Sequence, residues 1–224
     1  MSIIHPAVTA ALATRRSIRG FPPTPVPLET VREILTLAAR APSATNTQPR
    51  NAHIVTGPAR GRLCAEILAR HEAGEKSEME YPYYPEEWPE PYLARRRDIG
   101  WALYGLLGIQ RGDRTATAKQ HGRNCNFFGS TVGLIFTIDR RLAQGSWLDL
   151  GMFMQGVMTA ARGAGLDTCA QAAFAPFHAT IRRHLTIPDE QLVACGMALG
   201  WADPHERANQ LVTPRAKDFI TLHA

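Results

Sequence analysis

The chain has 224 residues, of which 45% are hydrophobic and 20% are charged, and its formal net charge is +5. This length allows one sizeable core, and the composition is that of an ordinary globular protein. The modest positive charge suits an anionic ligand without arguing for nucleic acid. The longest apolar stretch, Val132 to Phe136, is far too short to cross a bilayer. We therefore expect one domain, residues 1–224, with neither a nucleic-acid nor a membrane partner.

The cysteines and histidines show no spacing typical of a metal site or a redox pair. The eight histidines are scattered, and so are the four cysteines, Cys64, Cys125, Cys169 and Cys195. The pattern predicts no metal and free buried thiols, as in a reducing cytoplasm. The sequence also has no Gly-x-Gly-x-x-Gly motif, so a nicotinamide nucleotide would visit an open site rather than a Rossmann domain.

The first third of the chain alternates helical patterns with two polar motifs. Pro6 to Ala13 predicts a short helix that leads into Arg15-Arg16-Ser17-Ile18-Arg19. Apolar residues at helical spacing predict a second helix from Leu28 to Ala41, which Pro42 ends. The second polar motif, Pro42-Ser43-Ala44-Thr45-Asn46-Thr47-Gln48-Pro49, follows at once. A strand from Ala52 to Thr56 and a helix from Arg60 to Arg70 are predicted next.

The segment from Glu72 to Tyr92 is dense in proline and aromatic residues. Its prolines exclude regular structure, and it has too many aromatic residues for a free linker. We interpret residues 72–92 as an ordered loop or lid, with plain packing as the alternative.

The second half of the chain carries most of the core. We predict helices over Leu93–Gln110, Ala116–Asn124 and His178–Leu185, and strands over Val132–Ile138 and around Val193–Leu199. Ser146-x-x-Asp149 is similar to a capping box and would open a largely buried helix that runs to about Ala164. The tail, residues 202–224, has no periodicity and is interpreted as an arm that packs elsewhere, such as on a second subunit. Few strands among many helices indicate an α+β domain.

The two polar motifs carry complementary chemistry. Arginine binds phosphate through a planar fork of donors, and the first motif crowds three arginines and a serine into five residues. Asparagine and glutamine both donate and accept, which suits the polar edge of a heterocycle. A solvated basic turn and an ordinary polar loop are the plain alternatives for each motif alone. Together, on either side of one helix, they point to a cofactor with a phosphate and a ring.

These motifs resemble those of the FMN-dependent nitroreductases, in particular the branch that acts on nitrobenzoate and related nitroaromatics. The resemblance extends to Asn209-x-x-x-Thr213-Pro214-Arg215 near the end of the chain. It implies a central, mostly antiparallel sheet surrounded by helices, a homodimer, FMN as cofactor, and NADH or NADPH as electron donor.

The resemblance also assigns roles to residues. It places the FMN phosphate and ribityl chain on Arg15, Arg16, Ser17 and Arg215, and it places Arg19 near the pyrimidine ring. Ser43, Asn46 and Gln48 would reach the cofactor from the partner subunit, while Ala172 or Ala173 would donate a backbone N–H to N5. Some relatives carry a lysine where Asn126 stands here, so Arg123 or Arg19 would supply that charge. Many relatives also have proline in place of Ala170.

We therefore expect a cytoplasmic oxidoreductase that reduces nitroaromatic or quinone-like compounds by a ping-pong mechanism. The cofactor supplies the redox chemistry, so no catalytic side chain is assigned. One alternative keeps FMN but catalyses reductive dehalogenation or flavin fragmentation. Another is a module that binds a phosphate ligand or nucleic acid without turnover.

Overall fold

The computed structural model describes residues 5–75 and 79–223. In these ranges the α-helices are α1 (Pro6–Thr14), α2 (Leu28–Ala38), α3 (Gly57–Glu72), α4 (Tyr92–Leu107), α5 (Arg114–Gly122), α6 (Gln144–Gly163) and α7 (His178–Leu185). The strands are β1 (Asn51–Thr56), β2 (Val132–Asp139), β3 (Asp167–Gln171) and β4 (Gln191–Gly200). Short 3₁₀ helices span Ala44–Asn46, Arg123–Gly129, Ala172–Phe177 and Arg207–Gln210.

The four strands form one antiparallel sheet in the order β1-β2-β4-β3. Ser17 forms an isolated parallel bridge with Thr168 at the outer edge of β3. The backbone N–H of Ile18 donates to the Thr168 carbonyl oxygen at 3.0 Å. The arginine motif is therefore attached to the edge of the sheet. The predicted α+β class and mostly antiparallel sheet are confirmed.

Alternating side chains on the central strands divide the core into two layers. Leu134 and Phe136 of β2 pack with α2 and α6 on one face, whereas Ile135 packs with α3 and α7 on the other. This arrangement follows from the two-residue period of a strand, which sends successive side chains to opposite faces. Because helices cover both faces, β2 is buried from Val132 through Ile138.

Two glycines let a pair of aromatic rings lie flat on the sheet. A Cβ at Gly133 would meet the Phe127 ring at 2.4 Å, and one at Gly196 would meet the Phe174 ring at 2.3 Å. The two rings stack with centroids 4.3 Å apart. Phe127 and Phe174 belong to the 3₁₀ helices Arg123–Gly129 and Ala172–Phe177. The stacked pair therefore fixes both of these segments against the sheet.

The predicted capping box is wrong. The N-cap residue of α6 is Ala143, no side chain caps it, and Ser146 lies inside the helix. Asp149 instead accepts a hydrogen bond from the backbone N–H of Ala44 at 3.2 Å. The Asp149 carboxylate therefore contacts the polar loop instead of capping α6. No local sequence pattern in α6 indicates this contact.

Several other boundaries and burial predictions need adjustment. Helix α2 ends at Ala38 rather than Ala41, because a residue that precedes proline disfavours the helical conformation. Helix α6 buries only one face: Leu150, Phe153 and Val157 are buried. The four cysteines are free and buried, as predicted.

Candidate functional site

A cavity of about 830 Å³ opens beside the end of β3. Its walls come from the arginine motif, the end of α3, the aromatic segment, α4, α5 and the turn after it, and the β3 end. The lining residues are Arg19, His71, Glu75, Met79, Tyr81, Pro82, Tyr83, Tyr84, Leu103, Tyr104, Gln120, His121, Asn124, Cys125, Phe128, Cys169, Ala170, Gln171, Ala172, Ala173, Pro176 and Phe177. Three of the sequence-predicted site residues, Arg19, Ala172 and Ala173, thus share one cavity.

The arginine motif lies against β3 at this cavity. Arg19 donates from Nη1 to the Ser17 carbonyl oxygen at 3.2 Å. Burial raises the pKa of the neighbouring Cys169 thiol to about 11. The positive charges of Arg19 and Arg15 and a hydrogen bond with the Ser17 side chain act to lower this pKa. Arg15, Ser17 and Arg19 are therefore close enough to one buried thiol to affect its ionisation. Of these three predicted residues, Arg19 lines the cavity, whereas Arg15 and Ser17 are not part of its described lining.

Asn209 ties the closing motif to the arginine motif. Its Oδ1 accepts from the Arg19 backbone N–H at 2.6 Å, and its Nδ2 donates to the Gly20 carbonyl oxygen at 2.8 Å. Asn209 is buried and also donates to the Asp203 carbonyl oxygen at 2.9 Å. The sequence motif contained this asparagine, but nothing in the sequence showed that it holds the backbone of Arg19.

Ala172 and Ala173 stand at the start of the 3₁₀ helix Ala172–Phe177. The first N–H groups of a helix have no acceptor within the helix. Because both residues line the cavity, their N–H groups are suited to donate to a ligand there. Their side chains are single methyl groups, so a flat ligand can approach the backbone closely.

Asn124 lines the cavity, while the predicted Asn126 does not appear among the described lining residues. The Asn126 side chain accepts from the Gly129 backbone N–H at 3.2 Å. Arg123 forms an ion pair with Glu206 at 2.6 Å. Its charge is therefore already balanced, and Arg19 is the arginine that faces the cavity.

The loop that contains Ser43, Asn46 and Gln48 lies outside this cavity in the described chain. Gln48 donates from Nε2 to Asn46 Oδ1 at 2.9 Å, and Ser43 Oγ accepts from the Gln48 backbone N–H at 3.0 Å. Thr45, Asn46 and Gln48 have φ values of 47°, 61° and 50°. Non-glycine residues rarely adopt this left-handed region, and such strain clusters at functional sites.

Arg16 and Arg215 are exposed and also lie outside the cavity lining of the described residues. Arg215 donates from Nη1 to the carbonyl oxygens of Thr213 and Pro214, at 3.0 and 3.1 Å. The single chain thus does not place Arg215 on the cavity wall with Arg19. The side chains of Phe219, Ile220 and Leu222 farther along the tail are more than three-quarters exposed.

The aromatic segment is anchored to a bulge in β4. The register between β2 and β4 pairs Phe136 with Cys195 and Thr137 with Val193, so Ala194 is the extra residue. The Tyr81 hydroxyl donates to the Ala194 carbonyl oxygen. Beside it, the Glu80 carboxylate accepts from the Val193 backbone N–H at 3.2 Å.

Glu80 also contacts a cluster of cations. Arg140 and Arg182 approach its Oε1 at 3.1 Å each. Tyr81 packs on Trp147 with ring centroids 4.5 Å apart. This end of the aromatic segment is therefore fixed to the body of the protein by both charge and packing.

Beyond this anchor, Tyr83 and Tyr84 form an aromatic side of the cavity. Their rings meet edge to face at 4.6 Å, and Tyr84 also lies 5.5 Å from Trp88. The Arg96 guanidinium lies over both Tyr84 and Trp88, at 5.3 and 5.2 Å. Of the predicted loop or lid, residues 76–78 lie outside the described residues, Glu72 ends α3 and Tyr92 begins α4. Residues 79–91 have no helix or strand, and Met79 and residues 81–84 line the cavity.

His71 and His121 also line the cavity. Burial and the neighbouring His71 lower the pKa of His121, so His121 is neutral at pH 7. Among residues 5–75 and 79–223, no group of three or more His, Cys, Asp and Glu side chains could hold a metal. No helix in these ranges is long and apolar enough to cross a membrane.

Comparison with known proteins identifies the fold that carries this cavity. Residues 12–201 match the model of the nitroreductase family. The chain belongs to the nitroreductase family. It is similar to the nitrobenzene nitroreductase of Ectopseudomonas oleovorans, with 42% identity over 92% of this chain and 91% of that protein. It is also similar to the 4-nitrobenzoate reductase of Pseudomonas putida, with 39% identity over 96% and 94% of the two chains.

Solved structures of the nitroreductase family agree with this assignment. The FMN and NADPH-dependent nitroreductase NfnB from Sphigopyxis sp. strain HMH superposes with a TM-score of 0.92 and 33% identity. The match covers 97% of this chain and 99% of NfnB. The expected fold is therefore shared along nearly the whole length.

Proposed function

We propose that this protein is an FMN-dependent oxidoreductase that uses NADH or NADPH to reduce nitroaromatic or quinone-like compounds. The observation that carries the proposal is the shared cavity of Arg19, Ala172 and Ala173, in a chain of the nitroreductase family. The names of its relatives, nitrobenzene nitroreductase and 4-nitrobenzoate reductase, support the acceptor class.

The residues present fit FMN. Arg15, Ser17 and Arg19 provide two cations and a hydroxyl beside Cys169, which suits a phosphate and a ring that gains negative charge on reduction. Ala172 and Ala173 provide a low wall with backbone donors. FMN, when bound, supplies the two-electron redox chemistry.

The chain itself binds and orients the reactants. Arg19 would stabilise negative charge at the pyrimidine edge, and the N–H groups of Ala172 and Ala173 would fix N5. Tyr83 and Tyr84 would stack on the planar acceptor. Because one cavity must admit both the nicotinamide donor and the acceptor, they would enter in turn, which is the basis for a ping-pong order.

We further propose a cytoplasmic homodimer. A groove of about 690 Å³ runs between α2 and α6. Leu37, Leu148 and Met152 beside it are 57%, 73% and 41% exposed. A second copy of the chain would cover these side chains and could bring the Ser43–Gln48 loop to the neighbouring cavity. Free cysteines support the cytoplasmic location.

Steady-state kinetics test the proposed reaction. The purified protein should oxidise NADH or NADPH when nitrobenzene is added, releasing nitrosobenzene or phenylhydroxylamine and water. Double-reciprocal plots at several donor concentrations should be parallel. Oxidation no faster than in a protein-free control, with nitrobenzene and with a benzoquinone, would contradict the proposal.

A further inference from the structure

Gln171 is a buried amide at the end of β3 that lines the cavity. Its Nε2 donates to two oxygens of Asn124, the backbone carbonyl at 3.0 Å and Oδ1 at 3.2 Å. Asn124 in turn donates from Nδ2 to the His121 carbonyl oxygen at 3.0 Å. Each NH₂ group faces an acceptor, so the orientation of both amides is defined. This clamp joins the β3 wall of the cavity to the turn after α5.

The clamp leaves one buried polar atom without a partner. Among the described residues, Gln171 Oε1 has no hydrogen-bond donor. A buried acceptor left unpaired costs free energy comparable to what two neutral hydrogen bonds contribute. The net contribution of the clamp to folding stability is therefore small. A methionine of similar length would fill the same space without an unpaired oxygen.

We propose that Gln171 and Asn124 are positioning residues that hold the N–H groups of Ala172 and Ala173 in place against the flavin. This rests on the proposed function, which assigns those N–H groups to N5. Gln171 directly precedes the 3₁₀ helix and is its N-cap residue, without a side-chain cap of its own. Restraining its side chain through Asn124 therefore restrains the backbone turn from which both donors project.

The proposal predicts a difference between the two redox forms of the cofactor. N5 of oxidised flavin accepts a hydrogen bond, whereas N5 of reduced flavin carries its own hydrogen. A misplaced donor should therefore weaken the binding of oxidised FMN more than that of reduced FMN. A purely structural role would weaken both forms equally.

Titration of FMN into the apoprotein, in air and under dithionite, tests this prediction. Gln171→Met and Asn124→Ala should each raise the Kd of oxidised FMN roughly threefold to tenfold, the range for one hydrogen bond. The Kd of reduced FMN should change less than about twofold. The double variant should match the single variants, because either change alone breaks the clamp. Gln110→Ala, at an exposed site after α4, is the control and should bind like the wild type.

Three results would overturn the inference: additive effects in the double variant, equal weakening of both redox forms, or unchanged Kd values in both single variants. If Gln171→Met does not fold, Asn124→Ala carries the same prediction. A wild-type protein that binds no FMN would overturn the proposed function and this inference together. Wild-type binding with unchanged variants would overturn this inference alone.

Discussion

The β3 wall of the cavity and the Ser43–Gln48 loop differ in how firmly hydrogen bonds attach them to the rest of the chain. The β3 wall, Thr168–Ala173 with the attached Ser17–Arg19, is bonded into the sheet and held from behind by Asn209. In the loop, the side chains of Asn46 and Gln48 are exposed and bond to each other. Three loop residues have left-handed φ values.

This contrast indicates which part of the site one chain completes. Each left-handed non-glycine residue costs on the order of 1 kcal/mol or more, and few of the loop's described hydrogen bonds reach residues outside positions 43–50. Asp149, which accepts from Ala44 N–H, is one of them. The β3 wall is held by hydrogen bonds within the chain. The strained loop, in contrast, exposes the side-chain amides of Asn46 and Gln48 on the surface, where a ligand from outside the chain can reach them. We interpret the loop as the half of the site that serves a neighbouring subunit.

The largest effect is expected at the arginines proposed to bind the FMN phosphate. Arg15→Ala should raise the Kd of FMN by about one to two decades, since charge-assisted hydrogen bonds contribute roughly 1.5–3 kcal/mol. Arg215→Ala should act in the same direction, since the resemblance assigns both arginines to the FMN phosphate. Fluorescence titration measures both, with the exposed Arg62→Ala on α3 as control. FMN retention equal to wild type in both variants would remove this assignment.

A substitution in the Ser43–Gln48 loop should lower the activity of the protein without lowering its folding stability. Gln48→Ala should lower kcat/KM for nitrobenzene about tenfold, which corresponds to one hydrogen bond of about 1.4 kcal/mol. Its melting temperature should stay near that of the wild type, because Gln48 is exposed. Thr47→Ala in the same loop, at a relaxed φ of −66°, is the matched control. Full activity in Gln48→Ala would show that the loop is peripheral.

The aromatic wall should control the acceptor rather than the flavin. Replacing residues 82–90 by a Gly/Ser linker keeps the Glu80 and Tyr81 anchors. Loss of stacking worth roughly 0.5–1.5 kcal/mol per aromatic pair should lower kcat/KM for nitrobenzene by about two- to twelvefold. The protein should still retain FMN and reduce it with NADPH. Unaltered kcat/KM for every acceptor would mean that the segment only packs.

The smallest expected effect is a loss of folding stability at alkaline pH, caused by Cys169 in the β3 wall. Burial raises the pKa of Cys169 to about 11 from an ordinary 9.0. In the unfolded chain the thiol ionises near pH 9.0, while in the folded chain it stays protonated. The folded state therefore binds more protons in this window, and stability falls as pH rises from 9.0 to about 11.

Thermal denaturation at pH 8, 9 and 10 measures this effect. The loss from one such thiol is on the order of 1 kcal/mol per pH unit, or roughly 2–4 °C in a chain of this size. Cys169→Ala should make the melting temperature fall less steeply above pH 9. If the melting temperature of Cys169→Ala fell as steeply with pH as that of the wild type, burial would not raise the pKa of Cys169.

The sequence predicted most elements because their patterns are local. The periodicity of α2, and the bounds of α7 in full, were recognised in this way. Strand β3 was not predicted as a strand, since Asp167–Gln171 is short and mixes polar with small residues. Its conformation depends on pairing with β4.

The site was predicted only as far as its motifs extended. Arg19, Ala172 and Ala173, which line the cavity, were named through the resemblance, but the contacts of Asn209 and Gln171 were not predicted. Asn209 bonds to Arg19 across 190 positions, and Gln171 bonds to Asn124 across 47. Side-chain contacts over such separations leave no periodic pattern, so they become visible only once the chain is folded.

A mixed dimer tests most directly whether two chains build each site. One variant, Arg19→Ala, damages the β3 wall, and the other, Asn46→Ala with Gln48→Ala, damages the loop; each alone should be impaired. When the two are coexpressed, mixed dimers should form in which one of the two sites combines an intact Arg19 with an intact loop from the neighbour. Random pairing makes half of the dimers mixed, and one of the two sites in each mixed dimer is intact. Activity should therefore recover to about a quarter of wild type. Activity no higher than the average of the two variants, in dimers shown to be mixed, would contradict the account.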